Sequence, residues 1–143
     1  MSLKFKHAVV FGVFDWLHEG HRDFLKQALE LADVCTVVVA RDSAVVELKN
    51  KTPRDSEQVR IANVRTMAGV TGAVLGDSEQ GAYKILKKLK PDVILLGYDQ
   101  GRLAQDLGAK MASGALPNIP LVRLKAHKPE ELHTSIIQQV EML

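Results

Sequence analysis

Five short runs of uninterrupted apolar residues, at 8–11, 34–40, 73–75, 93–96 and 120–122, alternate with stretches whose apolar residues recur at helical spacing. Gly, Asp or Pro punctuates each run, so the runs are predicted to be strands. Continuous rather than alternating apolar character marks strands buried on both faces, which is the pattern of a parallel sheet with helical crossovers. A helix is predicted to begin near Gly20, with Phe24, Leu25, Ala28, Leu31 and Ala32 on one face. The 52–67 stretch reads as a second helix, with Pro53 suited to its first turn and Asp55 and Glu57 to its positive end. Over 78–90, Ala82, Ile85, Leu86 and Leu89 share a stripe that Pro91 stops, and Lys84, Lys87, Lys88 and Lys90 form a solvated face. A last helix carries Leu132, Ile136, Ile137 and Val140 on one side.

This β-α-β-α order predicts an α/β fold: a single-domain, doubly wound, Rossmann-like five-stranded parallel sheet with helices on both faces. At 143 residues the chain has the modal size of one domain, so residues 1–143 are expected to form one unit. Ligands of such sheets collect beyond the carboxyl ends of the strands. The 46% apolar and 25% charged composition excludes disordered and fibrous classes. A net charge of +2 gives no reason to expect a nucleic-acid or membrane partner, so an anionic ligand must be held by local geometry. Cys35 is the only cysteine, which removes internal disulfides and Cys-based zinc sites. Without an apolar run long enough for a bilayer or a secretory signal, the expected address is cytoplasmic.

The chemistry is concentrated directly after the first strand, in Gly12-Val13-Phe14-Asp15-Trp16-Leu17-His18-Glu19-Gly20-His21. A strand-loop-helix junction aims backbone N–H groups and a positive helix end at the crevice, a ready phosphate site. His18 and His21, three residues apart with the second in the first helical turn, can both address one small anion. Neither G-x-x-x-x-G-K-[ST] nor G-x-G-x-x-G is present, so the chain carries no kinase-like or dinucleotide loop. Donors of this kind suit displacement at phosphorus, where charge on the equatorial oxygens grows in the transition state. Two rival readings are a metal site, against which the loop position and spacing of the histidines argue, and two structural histidines at a helix start.

Gly12 to His21 resembles the G-x-F-D-x-x-H-x-G-H signature of the cytidylyltransferase-like nucleotidyltransferases, which include glycerol-3-phosphate cytidylyltransferase and archaeal-type FAD synthetase. The similarity extends over nearly the whole chain. It implies that an acceptor phosphate attacks the α-phosphorus of a nucleoside triphosphate and releases pyrophosphate, with Mg²⁺ neutralising the triphosphate. His18 and His21 would then stabilise charge on the α-phosphate, and the backbone at Gly12, Val13, Phe14 and Gly20 would bind nucleotide. Val13 departs from the family's frequent threonine, which removes a hydroxyl contact. Asp15 is read as a loop organiser rather than a base. Trp16 replaces an aliphatic residue and is read as packing or partly exposed, with stacking on a ligand ring as the alternative.

By the same resemblance, a lysine after the second strand reaches the α- or β-phosphate, with Lys51 ahead of Lys49, and Arg60 lies near the nucleotide. Gly97-Tyr98-Asp99-Gln100 closes the fourth strand, where Asp99 and Gln100 could hold a ribose or base edge. This tetrapeptide is similar to the archaeal FAD synthetase branch and tilts the acceptor towards flavin. Arg123, followed by His133, Thr134 and Ser135 at a helix start, occupies the place of the family's β- and γ-phosphate signature. His127 and His7 read as an ordinary loop histidine and a structural one. The expected reaction is ATP with FMN. The alternatives are a CTP-dependent cytidylyltransferase with an acceptor like glycerol 3-phosphate, and a nucleotide-binding module without turnover. A homodimer is the oligomeric state implied by the resemblance.

Overall fold

A computed structural model describes residues 4–79 and 81–125. Five parallel strands, β1 (Phe5–Gly12), β2 (Ala32–Val39), β3 (Gly72–Leu75), β4 (Val93–Leu96) and β5 (Leu121–Arg123), lie in the order β3-β2-β1-β4-β5. The helices are α1 (Glu19–Leu31), α2 (Asp42–Lys49), α3 (Glu57–Arg65), α4 (Lys84–Leu89) and α5 (Gly101–Ala112). This is the expected doubly wound sheet in a single domain, with order reversing at β1 and β4.

Period-two alternation assigns each strand residue to one of two cores. Ala8, Val10, Val37, Val39, Val93 and Leu95 face α1 and α3, where Leu25, Ala28, Ile61 and Val64 cover them. Val9, Val38, Ile94 and Leu96 face the other way, against Leu86 and Leu107 of α4 and α5. Helices covering both faces explain why the strands read as unbroken apolar runs. Since α1 and α5 pack on opposite faces, a crevice opens above the carboxyl ends of β1 and β4.

Two predicted helices are shorter than their apolar patterns. The 52–67 stretch becomes helical only at Glu57, because the Asp15 carboxylate accepts from the N–H groups of Arg54 and Asp55 and Ser56 caps the helix. The 78–90 stretch is helical only over Lys84–Leu89, because Gly81 and Tyr83 have positive φ. Asp77 receives the N–H of Ile85, and Ala82 lies outside the helix. Lys84, Lys87, Lys88 and Lys90 are exposed, as a solvated face requires. Helices α2 and α5 are additions to the sequence reading, and α1 ends at Leu31, so that Ala32 opens β2. The helix expected around Leu132–Val140, together with His127, His133, Thr134 and Ser135, lies outside the described residues.

Candidate active site

The turn between β1 and α1 is held in a conformation that its sequence resists. Phe14 and Trp16 have φ of 55° and 54°, left-handed values that cost non-glycine residues about 1 kcal/mol or more each. Phe14 is stabilised there by burial: its ring folds back over Gly12, where a Cβ would lie 2.5 Å from it. The Asp15 carboxylate ties the turn to the 54–55 segment by accepting from the N–H of Arg54 at 2.7 Å and of Asp55 at 3.0 Å. Burial alone would raise the pKa of Asp15. The N–H groups of Asp55 and Arg54 and the charges of Arg60 and Arg54 prevail and hold it below the ordinary value. Its carboxylate is engaged in organising the turn.

The two imidazoles cap α1 reciprocally. His18 is the N-cap, and its Nδ1 accepts from the N–H of Gly20 at 3.0 Å; the Nδ1 of His21 accepts from the N–H of His18 at 3.2 Å. An imidazole nitrogen that accepts an N–H bond carries no proton of its own, so in the neutral form each ring is the Nε2–H tautomer. The rings lie 4.0 Å apart between centroids. Gly20 makes room for this arrangement, since a Cβ there would sit 2.8 Å from the His18 Cε1. Phe14 packs against His21 with ring centroids 5.4 Å apart. Burial first, and the neighbouring His18 second, push the His21 pKa down to about 4, against a smaller opposing effect from Asp99. His21 is therefore a neutral donor near pH 7.

Arg60 requires a correction. Its side chain is 0% exposed and lies beneath the turn, not open to the crevice. Its Nε donates to the Asp55 carbonyl, Nη1 to the carbonyls of Val13 and Ala40, and Nη2 to Asp42 at 2.6 Å. The guanidinium fork thus joins the segments following β1 and β2, and compensates its buried charge with one carboxylate and three carbonyls. Gln100 is corrected in the same sense, because its Oε1 accepts from Gly97 N–H and its Nε2 donates to the Phe11 carbonyl. The side chain ties β4 to β1 at the floor of the crevice. Asp99 beside it is exposed, and Tyr98 is partly exposed.

Lys49 and Lys51 are exposed on either side of Asn50, which turns the chain at φ 54°. No hydrogen bond or ion pair fixes either lysine among the described residues. Arg123 is exposed at the carboxyl end of β5, on the same edge of the sheet as the imidazoles. Sequence reasoning missed Arg54, whose guanidinium carbon lies 3.7 Å from the centroid of the Trp16 ring. A separate cavity of about 530 Å³ at the β3 edge, lined by residues including Arg41, Arg65 and Lys88, shares no residue with this site.

Residues 9–140 match the cytidylyltransferase-like family model. The chain belongs to the cytidylyltransferase-like family. It is 38% identical over 134 residues to the FAD synthase of Pyrococcus horikoshii, covering 92% of this chain and 90% of that protein. It is 40% identical over 130 residues to the FAD synthase of Methanosarcina barkeri, covering 90% and 91% respectively. Among solved structures, a lipopolysaccharide core biosynthesis protein from Thermoplasma volcanium superposes with a TM-score of 0.77 at 34% identity, covering 87% of this chain and 99% of that one. The paired histidines of this strand-loop-helix junction lie inside the matched span.

Proposed function

We propose that this member of the family is an FAD synthetase-like nucleotidyltransferase, which transfers AMP from ATP to FMN and releases pyrophosphate. The carrying observation is the reciprocal capping of α1, which occupies both Nδ1 atoms and leaves two Nε2–H donors side by side. Support for the flavin acceptor comes from relatives at 38% and 40% identity over about nine-tenths of the chain.

An acceptor phosphate oxygen forms a bond to the α-phosphorus as the bond to pyrophosphate breaks. Charge builds on the equatorial oxygens, and the Nε2–H groups of His18 and His21 hydrogen-bond them most strongly at that stage. His21, with its pKa near 4, acts as a donor and does not carry a proton to the leaving group. The backbone of Gly12, Val13 and Phe14 approaches the nucleotide, while Gly20 acts by admitting the His18 ring. Positive charge must then come from elsewhere, and Lys51, Lys49 and Arg123 are the exposed cations assigned to the phosphates. Gly97, Tyr98 and Asp99 line the opposite wall at the end of β4, with Gln100 behind them. His133, Thr134 and Ser135 are proposed from the sequence alone as the β- and γ-phosphate contacts.

Among the described residues no three His, Cys, Asp or Glu side chains form a metal cluster. Mg²⁺ would be held mainly by triphosphate oxygens and water, with the exposed Asp99 able to add one oxygen. When bound, the ion would neutralise the triphosphate. A cytoplasmic address is in keeping with the free, buried Cys35, and no helix of the described residues is long and apolar enough to cross a membrane. A homodimer would cover some of the exposed apolar side chains Val46, Leu48 and Val59, and light scattering tests it.

The deciding experiment offers ATP and CTP with FMN, glycerol 3-phosphate and sugar phosphates, and scores pyrophosphate. Turnover with ATP and FMN is expected. Turnover only with CTP and glycerol 3-phosphate would replace this reading by a cytidylyltransferase. Nucleotide binding without turnover of any pair would replace it by a binding module.

A further inference from the structure

Trp16 is the chain's only tryptophan, and the turn presents it to solvent with 61% of its surface exposed. Its backbone is left-handed, and the two residues before it are fixed, Phe14 in the core and Asp15 by its carboxylate on the 54–55 peptides. The fold gains little apolar burial from an indole held in this way. Over one face lies the Arg54 guanidinium, a flat, exposed cation 3.7 Å from the ring centroid. That face therefore already accommodates a planar, electron-poor group, and its present occupant sits on an exposed side chain.

We propose that Trp16 is the specificity-determining residue for the acceptor: the planar isoalloxazine ring stacks on the indole, and the displaced Arg54 guanidinium pairs with the acceptor phosphate. This rests on the flavin reading of the site. Trp16 precedes His18 by two residues, so their Cα atoms are within about 7 Å, a span comparable to the ribityl chain between a flavin ring and its phosphate. A ring on Trp16 thus leaves its phosphate beside the imidazoles. An electron-rich indole against an electron-poor tricycle is a favourable stack. A small acceptor such as glycerol 3-phosphate has no surface to place there, so the indole separates flavin from small phosphorylated alcohols.

The test uses the whole chain, with Trp16→Ala, Trp16→Phe and Arg54→Ala beside the wild type. Trp16→Ala is expected to raise the KM for FMN about tenfold or more and leave that for ATP within about twofold, with most of the loss restored in Trp16→Phe. Flavin emission, quenched on contact with an indole, is expected to fall when FMN binds the wild type and to stay bright on Trp16→Ala at concentrations where equilibrium dialysis shows binding. Arg54→Ala is expected to weaken binding of FMN more than of riboflavin. An unchanged KM for FMN in Trp16→Ala, equal quenching in both proteins, or a rise in the KM for ATP instead would overturn the assignment while FAD synthesis stands. Failure of the wild type to bind or adenylylate FMN would overturn the flavin reading itself, before any variant is made.

Discussion

The segments following β1 and β2 both face the proposed phosphate path, yet they are built in opposite ways. After β1, Gly12, Phe14, Asp15, His18 and Gly20 are each fixed by a ring contact, a close approach or a hydrogen bond. After β2, Lys49 and Lys51 stand in solvent around one left-handed asparagine. The first is preorganised for a transition state, where misplacement by an ångström is costly. The second supplies charge, which acts over a longer range and tolerates motion. Arg60, buried beneath the turn, is where the two segments are joined.

Breaking that joint is the most damaging change expected. Arg60→Ala leaves Asp42 and the carbonyls of Val13 and Ala40 without their donor, and should lower stability by about 3 kcal/mol in denaturant unfolding. Arg60→Lys should recover little, because an ammonium lacks the guanidinium's fork. A wild-type-like stability would separate the two segments and refute their coupling. Next in size, His18→Ala or His21→Ala should lower kcat on the order of 10² to 10³-fold, with nucleotide Kd changed far less. Equal losses in both would make the turn a binding element only.

Gly20→Ala sharpens the contrast without removing any polar atom. It moves the His18 ring by steric pressure, and should lower kcat between about tenfold and a hundredfold with the fold intact by circular dichroism. Lys49→Ala and Lys51→Ala should each raise the KM for ATP about fivefold or less, and the effect should fade with added salt. A large, salt-insensitive loss in kcat would place the lysine loop among the preorganised parts.

The same contrast governs how much the sequence reveals. The strands are legible because parallel strands covered on both faces leave continuous apolar runs, and 93–96 is observed as read. Helix α5 carries a readable stripe, Leu103, Ala104, Leu107 and Met111, that the sequence reading passes over, while α2 is only eight residues long. The histidine pair is a local signal, three residues apart at a strand-helix junction. The roles of Arg60, Gln100 and Arg54 depend on partners 47, 89 and about 40 residues away. Nothing near them in sequence marks those partners, so these contacts are visible only in the folded chain.

Catalysis by the paired rings depends on which of their nitrogens carry protons. Because the His21 pKa is near 4 folded and 6.5 unfolded, the unfolded chain holds more protons between those values. Stability from this group is full above 6.5 and lost as pH falls towards 4. Long-range proton–nitrogen NMR of the histidines, followed through that interval, reads both features at once. The expected result is a bare Nδ1 and protonated Nε2 on His21 at neutral pH, with its second proton taken up only near 4. A protonated Nδ1 on His21 at neutral pH, or its ordinary titration around 6.5, would contradict this arrangement.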